Sequence, residues 1–282
     1  MENKRIKLSS DLFDKNDVFF KKLSLMHLLE IVLSFLNQKE ILPLRLVCKL
    51  FNQIFKETWS QTNIIRLYMP IINDDLKFIS FKKIDLFNCF TIRDEGLSYL
   101  KGIHSIKLSN CYQITDKGLS YLTGVSKISL FGCTKITDEG LSYLKGVQTI
   151  DISNCYQITD KGLSYLTGVH AIDVTKCNLI TDTGLSYLSG VHTIILYGCI
   201  QITDKGLSYL TSVHSIDLSY CSKITNEGLS YLKNVKNINV NWCDKITKEG
   251  IKYLKQVVYT IISNCSYEIT DEGLLHLNEV EH

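Results

Sequence analysis

The feature that most constrains this chain is a 22-residue period that runs through its last two hundred or so residues. The period shows first in nine cysteines, which lie 22 residues apart at positions 89, 111, 133, 155, 177, 199, 221, 243 and 265. The copies share the pattern I-x-L-x-x-C-x-x-I-T-D-x-G-L-S-Y-L-x-G-V-x-x, seen plainly in residues 128–149. A fixed period of this length indicates a solenoid in which each repeat packs on its neighbours.

Each repeat has the pattern of one strand followed by one short helix. Ile128 and Leu130, two residues apart, have the period of a strand with one buried face. Thr137 or Asp138 then offers a side-chain oxygen to the unpaired amides of a helix start. Gly146 stands where the chain leaves the helix, a position that favours a left-handed residue. We expect stacking between repeats to hold these helices, because two turns do not persist alone in water.

This pattern resembles the cysteine-containing class of leucine-rich repeats, over residues 83–282. The resemblance implies an α/β fold, a leucine-rich-repeat solenoid with a parallel sheet on its concave side and short helices on its convex side. We expect residues 61–82 to form a linker and a cap for the first repeat.

Composition limits the classes of function. The chain is 45% hydrophobic and has a net charge of +2, which gives no strong field toward nucleic acid or an anionic membrane. The polar N-terminus does not resemble a signal peptide, and the most apolar stretch, residues 23–36, is too short to span a bilayer. We therefore expect a cytoplasmic or nuclear protein that is not secreted, whose cysteines are thiols rather than disulfides.

Three kinds of residue recur at fixed places in the repeat and leave alternatives open. The cysteines lack C-x-x-C spacing, so filling space in the core is favoured over binding zinc, and we expect no metal or cofactor. The histidines at 104, 170, 192 and 214 are either copied surface residues or a metal or pH-sensitive patch. Eight tyrosines from Tyr99 to Tyr253 either pack between helices or form a convex docking strip.

A ligand-binding surface is expected on the sheet, at the strand positions that alternate with the buried Ile and Leu. These positions vary most between repeats and mix aromatic and charged side chains, which is typical of protein-binding faces. The alternative is that they are simply free to drift. The candidate target-binding residues are Asp85, Phe87, Lys107, Lys127, Phe131, Asp151, Asp173, Ile195, Tyr197, Asp217, Tyr220 and Trp242.

The N-terminal segment lacks the repeat and has apolar residues at helical spacing. Residues 19–60 are expected to form two or three short helices after a flexible stretch at 1–18. LLEIVLSFL at 28–36 and LRLVCKLF at 44–51, followed by Trp59, resemble the signature stretches of an F-box. The chain is thus similar to F-box/leucine-rich-repeat proteins, with a small all-α F-box-like segment ahead of the solenoid.

That resemblance implies a substrate-recognition subunit of an SCF-type ubiquitin ligase. The F-box would dock on the Skp-family adaptor, and through it on a cullin–RING ligase, while the concave repeats hold an unknown target protein. No nucleic acid or membrane partner is expected. By match to the motif, the candidates for adaptor contact are Leu28, Val32, Leu36, Leu46, Val47, Phe51 and Trp59.

Catalytic motifs are missing from the sequence. It contains no P-loop, G-x-S-x-G, H-E-x-x-H or G-x-G-x-x-G, so we expect a binding or adaptor subunit without catalytic residues of its own. The competing hypothesis is a leucine-rich-repeat scaffold or decoy without any link to ubiquitin ligases.

Overall fold

The computed structural model describes residues 65–66, 73–78, 82–262, 265 and 280–281. Its strands form one eleven-stranded parallel sheet in which the order of the strands follows the chain. The strands are β1 (Ile65–Arg66), β2 (Lys83–Asp85), β3 (Ser105–Lys107), β4 (Lys127–Ser129), β5 (Thr149–Asp151), β6 (Ala171–Asp173), β7 (Thr193–Ile195), β8 (Ser215–Asp217), β9 (Asn237–Asn239), β10 (Tyr259–Ile261) and β11 (Val280–Glu281).

The register of the sheet stacks identical repeat positions on one another. In β5 and β6, for example, Ile150 pairs with Ile172 and Asp151 pairs with Asp173. The central isoleucine of β5 is buried and its two neighbours are partly exposed, so the predicted alternation along the strand is confirmed. The parallel sheet, the regularly placed helices and the 22-residue step together make the repeat region a leucine-rich-repeat solenoid.

A short helix follows most of the strands. The described α-helices are α1 (Asp94–Leu97), α2 (Asp116–Leu119), α3 (Asp138–Ser142), α4 (Asp160–Ser164), α5 (Asp182–Ser186), α6 (Asp204–Leu207), α7 (Asn226–Ser230) and α8 (Lys248–Ile251). Further 3-10 turns cover Asn73–Phe78, Ser98–Leu100 and Ser120–Leu122.

Threonine begins these helices. The Thr137 hydroxyl accepts a hydrogen bond from the Glu139 N–H at 3.3 Å, so of the two residues considered for the cap, Thr137 fills that role in α3. The first helix departs from the rule because Arg93 stands in the place of the threonine and its side chain makes no capping bond. Gly146, beyond the end of α3, has a φ of 82° and so takes the predicted left-handed conformation.

The aspartate that follows each threonine joins one repeat to the next. Asp138 accepts two hydrogen bonds from Thr159 of the following repeat, from its N–H at 2.8 Å and from its hydroxyl at 2.6 Å. The same pair of bonds recurs from Asp94 to Asp204, and Asn226 replaces the aspartate in α7. These side chains form a continuous line of charge-assisted hydrogen bonds across the starts of the helices.

The core lies between the sheet and the helices. It consists of Ile, Leu, Val and Cys side chains at the repeated positions, most of them less than 5% exposed. Within the described part of the chain, no helix has the length and hydropathy needed to cross a membrane.

The segment expected to be a linker and cap also contributes to the sheet. β1 pairs in parallel with β2, and the Arg93 N–H donates a hydrogen bond to the Asn73 side chain at 2.8 Å. Asn73 thus accepts a hydrogen bond from the Cys89 repeat, just as each aspartate accepts hydrogen bonds from the repeat that follows it. Residues 1–64 lie outside the described residues.

Candidate functional site

The outward face of the sheet carries the residues predicted to bind a target. Six of the twelve are exposed: Phe87, Lys107, Lys127, Phe131, Tyr220 and Trp242. Five are half-buried: Asp151, Asp173, Ile195, Tyr197 and Asp217. That these residues bind a protein stays a prediction, but eleven of them do present at least part of their surface to solvent.

Asp85 is the exception, and its assignment to the exposed surface is wrong. Its side chain is only 2% exposed. The carboxylate folds back to accept a hydrogen bond from the Phe87 N–H at 3.0 Å, which ties it to its own strand exit. Asp173 and Asp217 make the same bond but stay half-buried, so it is the burial of Asp85 that keeps its carboxylate from a partner.

The charged residues of this face divide along the sheet. The first strands carry exposed lysines, Lys107 and Lys127, whereas Asp151, Asp173 and Asp217 follow later. From position 171 to 261, none of the outward strand residues that the structure describes is Lys or Arg. Within the described residues, none of these three carboxylates forms an ion pair.

Each of these carboxylates accepts a hydrogen bond from the backbone N–H two residues later, at the end of its own strand. Asp173 accepts a hydrogen bond from the Thr175 N–H at 2.8 Å, and Asp217 accepts one from the Ser219 N–H at 2.8 Å. Burial raises the pKa of Asp173, and the neighbouring charges of Asp151 and Asp217 raise it further. A cation placed beside Asp173 would relieve this repulsion.

Three aromatic rings from successive repeats follow the ends of strands β7, β8 and β9. We call Tyr197, Tyr220 and Trp242 the aromatic strip. The ring centroids of Tyr197 and Tyr220 are 5.1 Å apart, and those of Tyr220 and Trp242 are 5.4 Å apart with nearly parallel planes. Lys176 places its Nζ 5.8 Å from the centre of the Tyr197 ring, a cation–π contact that closes one end of the strip.

Two members of the aromatic strip occupy a strained backbone position. From Cys89 to Cys243, the residue just before each cysteine takes a left-handed conformation, and this residue is Asn or Gly in most of these repeats, as at Asn154 and Gly198. Tyr220 and Trp242 take the same conformation with φ values of 61° and 58°. Left-handed backbone costs an L-residue with a bulky side chain roughly 1–2 kcal/mol. Such strain concentrates at binding sites.

A buried hydroxyl beside the strip has no hydrogen-bond partner. The Oγ of Ser219, which is 2% exposed, forms no hydrogen bond. Ser109 and Ser153, at the same position of other repeats, bond to Ser129 and Asp151 respectively. A buried hydroxyl without a partner costs free energy, so this repeat is less well satisfied here than at Ser109 and Ser153.

The sequence did not single out Lys176 or Ser219. The signal for Lys176 was present, because Asn or Gly recurs in its place at positions 88, 110, 132, 154 and 198. That recurrence marks a left-handed residue, so a lysine, tyrosine or tryptophan there is unusual. Ser219 left no such signal, since serine is common at its position.

The histidine row forms a stack at the other end of the strands. The ring centroids of His170 and His192 are 4.8 Å apart, and those of His192 and His214 are 4.1 Å apart. Partial burial lowers the pKa of His192, and the charges of His214 and His170 lower it further. Nitrogen lone pairs lie in the plane of each ring, so stacked rings do not aim them at one point, and the pH-sensitive alternative fits this geometry better.

The cysteine thiols have a structural role in the repeat. The Cys155 thiol donates a hydrogen bond to the Leu130 carbonyl of the preceding repeat at 3.2 Å, and the same bond recurs from Cys111 to Cys265. Burial raises the pKa of the Cys133 thiol to about 12. Among the described residues, no three His, Cys, Asp or Glu side chains are placed to share a metal ion.

Some of the repeated tyrosines lie beside a lysine of the preceding repeat. The Nζ atoms of Lys101 and Lys145 lie 5.7 Å and 5.5 Å from the ring centres of Tyr121 and Tyr165. Most of these tyrosines are half-buried. This arrangement fits the packing role, and the docking strip stays a hypothesis.

All seven residues expected to contact the adaptor lie outside the described residues. They are Leu28, Val32, Leu36, Leu46, Val47, Phe51 and Trp59. Their role therefore stays a prediction from the sequence.

Solved structures of repeat proteins share the fold. The chain is similar to a chain of the TLR13–ssRNA13 complex, with 16% identity over 77% of this chain and 37% of that one and a TM-score of 0.56. An internalin from Listeria monocytogenes is 21% identical over 73% of this chain and 62% of its own length, with a TM-score of 0.56. The chain thus spans less than two thirds of either protein.

A chain of the yeast Rad7–Elc1 complex is 13% identical over 89% of this chain and 96% of its own length, with a TM-score of 0.39, which is too low to compare the folds. No match was found among curated proteins.

Family models identify both modules. An F-box domain model matches residues 23–60, and a leucine-rich-repeat model matches residues 169–189 and 209–233. The first match contains the segments at 28–36 and 44–51, and the second falls on the 22-residue repeats. The chain thus matches an F-box domain followed by leucine-rich repeats, which is the module order of F-box/leucine-rich-repeat proteins.

Proposed function

We propose that this protein is the substrate-recognition subunit of an SCF-type ubiquitin ligase. The observation that carries the proposal is the F-box match at 23–60 directly ahead of a leucine-rich-repeat solenoid. Such families are generally non-catalytic adaptors or binding proteins. The F-box would bind the Skp-family adaptor, and through it the cullin–RING ligase, in the cytoplasm or nucleus.

The repeats would hold the target protein on the outward face of the sheet. Polar side chains at the same positions of successive repeats form hydrogen bonds to the neighbouring repeat, as Asp138 does with Thr159 and Cys155 with Leu130. Such a scaffold presents its variable side chains in fixed positions. Its contribution to ubiquitin transfer would be proximity, because a bound target stays close to the ubiquitin-loaded enzyme.

Co-purification of the full chain with the Skp-family adaptor tests the proposal. Val32→Lys and Val47→Lys place a charge in the F-box segment, and we expect each to reduce recovery of the adaptor at least tenfold. Val258→Lys is the matched control, since Val258 lies in the repeats and is 47% exposed. It should leave recovery unchanged. Circular dichroism checks that all variants keep their folded repeats.

The competing function is a repeat scaffold or decoy without a link to ubiquitin ligases. An intact chain that recovers no adaptor would contradict the ligase proposal and favour the scaffold. Loss of the adaptor in all three variants alike would also contradict it, because the control variant does not touch the F-box.

A further inference from the structure

The aromatic strip and its surroundings have the chemistry of a site for a cationic, planar group. The residues Tyr220 and Trp242 are 41% and 45% exposed, and their rings stack on each other, so the outer face of Trp242 is the one without a ring or cation against it among the described residues. At the other end of the strip, Lys176 already lies against the Tyr197 ring. Ring faces attract cations through their quadrupole, and tryptophan does so best. The Trp242 end of the strip carries no such contact among the described residues.

The charge around the strip favours the same ligand. Asp173 and Asp217 stand on the outward strand positions of β6 and β8, and the described outward positions from 171 to 261 carry no Lys or Arg. The site therefore joins aromatic rings to carboxylates that accept hydrogen bonds from neutral groups, such as the Asn239 amide on Asp217, and that have no cationic partner among the described residues. A cationic side chain is complementary to both, whereas an anionic ligand would be repelled.

The backbone under the strip departs from the other repeats. Tyr220 and Trp242 take the left-handed conformation that Asn or Gly takes at Asn88, Asn110, Gly132, Asn154 and Gly198. Strain of this kind is found at binding sites, so the choice of these two aromatic residues is a second observation in favour of a ligand.

Of the cationic side chains, arginine matches these features best. Its guanidinium is planar, stacks on aromatic faces and pairs with carboxylates through a fixed fork. A lysine ammonium makes the charge contact but does not stack. The strands β6 to β9 span roughly 14 Å at a spacing of about 4.8 Å, enough for about four residues of extended chain.

We propose that Tyr197, Tyr220 and Trp242, with Asp173 and Asp217, bind an arginine-containing extended segment of the target protein. This inference rests on the proposed function, because it names the chemical class of the target that the repeats hold. It assigns recognition to the later half of the sheet and to a positively charged segment.

Fluorescence anisotropy of the full chain with a fluorescein-labelled (Gly-Arg)4 peptide tests the proposal. The control probe is the same peptide with citrulline in place of arginine, which keeps the shape and removes the charge. We expect the arginine peptide to bind at least tenfold more tightly than the citrulline peptide and to weaken as salt increases.

Variants that suit the backbone separate recognition from folding. Tyr220→Asn with Trp242→Asn restores the residue found at Asn88, Asn110 and Asn154, so the melting temperature should not fall while binding weakens at least tenfold. Asp173→Asn removes the charge and keeps an oxygen for the Thr175 N–H, and binding should weaken several-fold. Lys176→Asn is the matched control, since it changes the same repeat position but keeps the strip, and it should bind at least as tightly as the wild type.

The proposal is overturned if the wild type fails to bind the arginine peptide, if it binds the citrulline peptide equally, or if the double asparagine variant binds unchanged. Preference for a neutral oligosaccharide probe over the arginine peptide would overturn it as well, because sugars also stack on aromatic rings. Adaptor co-purification with the double asparagine variant should be unchanged. Loss of the adaptor from the wild type would count against the ligase proposal alone and not against this site.

Discussion

Substitution of Asp138 tests how the repeats are joined. Asp138→Ala removes both hydrogen bonds to Thr159 and leaves the part-buried Thr159 N–H without a partner. Leaving such a donor unsatisfied costs about 1–3 kcal/mol, and the lost bond from the hydroxyl adds about 1 kcal/mol. We therefore expect the free energy of unfolding to fall by about 2–4 kcal/mol.

The chain itself provides the control for this substitution. Asn226 holds the same place in α7, where its Oδ1 accepts a hydrogen bond from the Thr247 N–H at 2.9 Å and its Nδ2 donates to the Thr247 hydroxyl at 2.8 Å. Asp138→Asn should make the same pair of bonds and cost less than about 1 kcal/mol. Urea unfolding of the full chain, followed by circular dichroism, measures both variants. Equal losses for alanine and asparagine would refute the reasoning.

Substitution of Gly162 is a second test of the role of Asp138. A Cβ added at Gly162 would lie 2.5 Å from Asp138 Oδ1, and 3.1 Å from both Ile158 Cγ2 and Leu141 Cδ1. Gly162→Ala should therefore destabilise the protein by about 2 kcal/mol, although alanine favours helices by about 1 kcal/mol over glycine. In the Asp138→Ala background the clash with the carboxylate is gone, so most of that cost should disappear. A double-mutant cycle with additive losses would show that the carboxylate is not what excludes a side chain at Gly162.

Two further predictions concern pH. Burial raises the pKa of the Cys133 and Cys177 thiols from 9.0 to about 12, so between pH 9 and 12 the unfolded chain loses protons that the native state keeps, and stability falls as pH rises. We expect a loss of up to about 1.4 kcal/mol per pH unit for each such thiol, and urea midpoints that stay constant from pH 8 to 10 would contradict this. In the histidine stack, an NMR titration should give His192 a pKa below 6.5. The variant His214→Gln should raise the pKa of His192, because one neighbouring charge is gone. An unchanged pKa in the variant would exclude electrostatic coupling between the two rings.

Features that repeat within one copy were predictable from the sequence. The strand at Ile128, the threonine cap at Thr137 and the left-handed Gly146 each follow from a local pattern, and the structure has all three. The role of Asp138 was not predictable in this way, since an acid at a helix start equally suits the helix dipole. Its bonds to Thr159 exist only because neighbouring repeats superpose, which a single repeat does not reveal.

The candidate site was predicted in part for a related reason. Alternation along a strand identifies outward positions, and it placed Tyr197 and Asp217 correctly on the solvent side. It does not tell how much of an outward side chain is covered by the rest of the chain, so Asp85 was expected at the surface although it is only 2% exposed. The first strand of the sheet was missed as well, because Ile65–Arg66 pairs with β2 at a spacing shorter than the 22-residue period.

The residues that we propose for target binding differ from those that stabilise the repeats, as the left-handed positions at Tyr220 and Trp242 show. The bonds that hold the repeats run through the helix starts and the thiols, as at Asp138 and Cys155, and none of them involves the side chain of Tyr220 or Trp242. Bulky residues there add backbone strain that asparagine would relieve, and the stacking of Tyr220 on Trp242 offsets part of that strain. Rings already stacked in the free protein lose little conformational freedom when a ligand binds, and that preorganisation favours affinity. The later half of the sheet is therefore where a change of side chain should alter the target while leaving the solenoid intact.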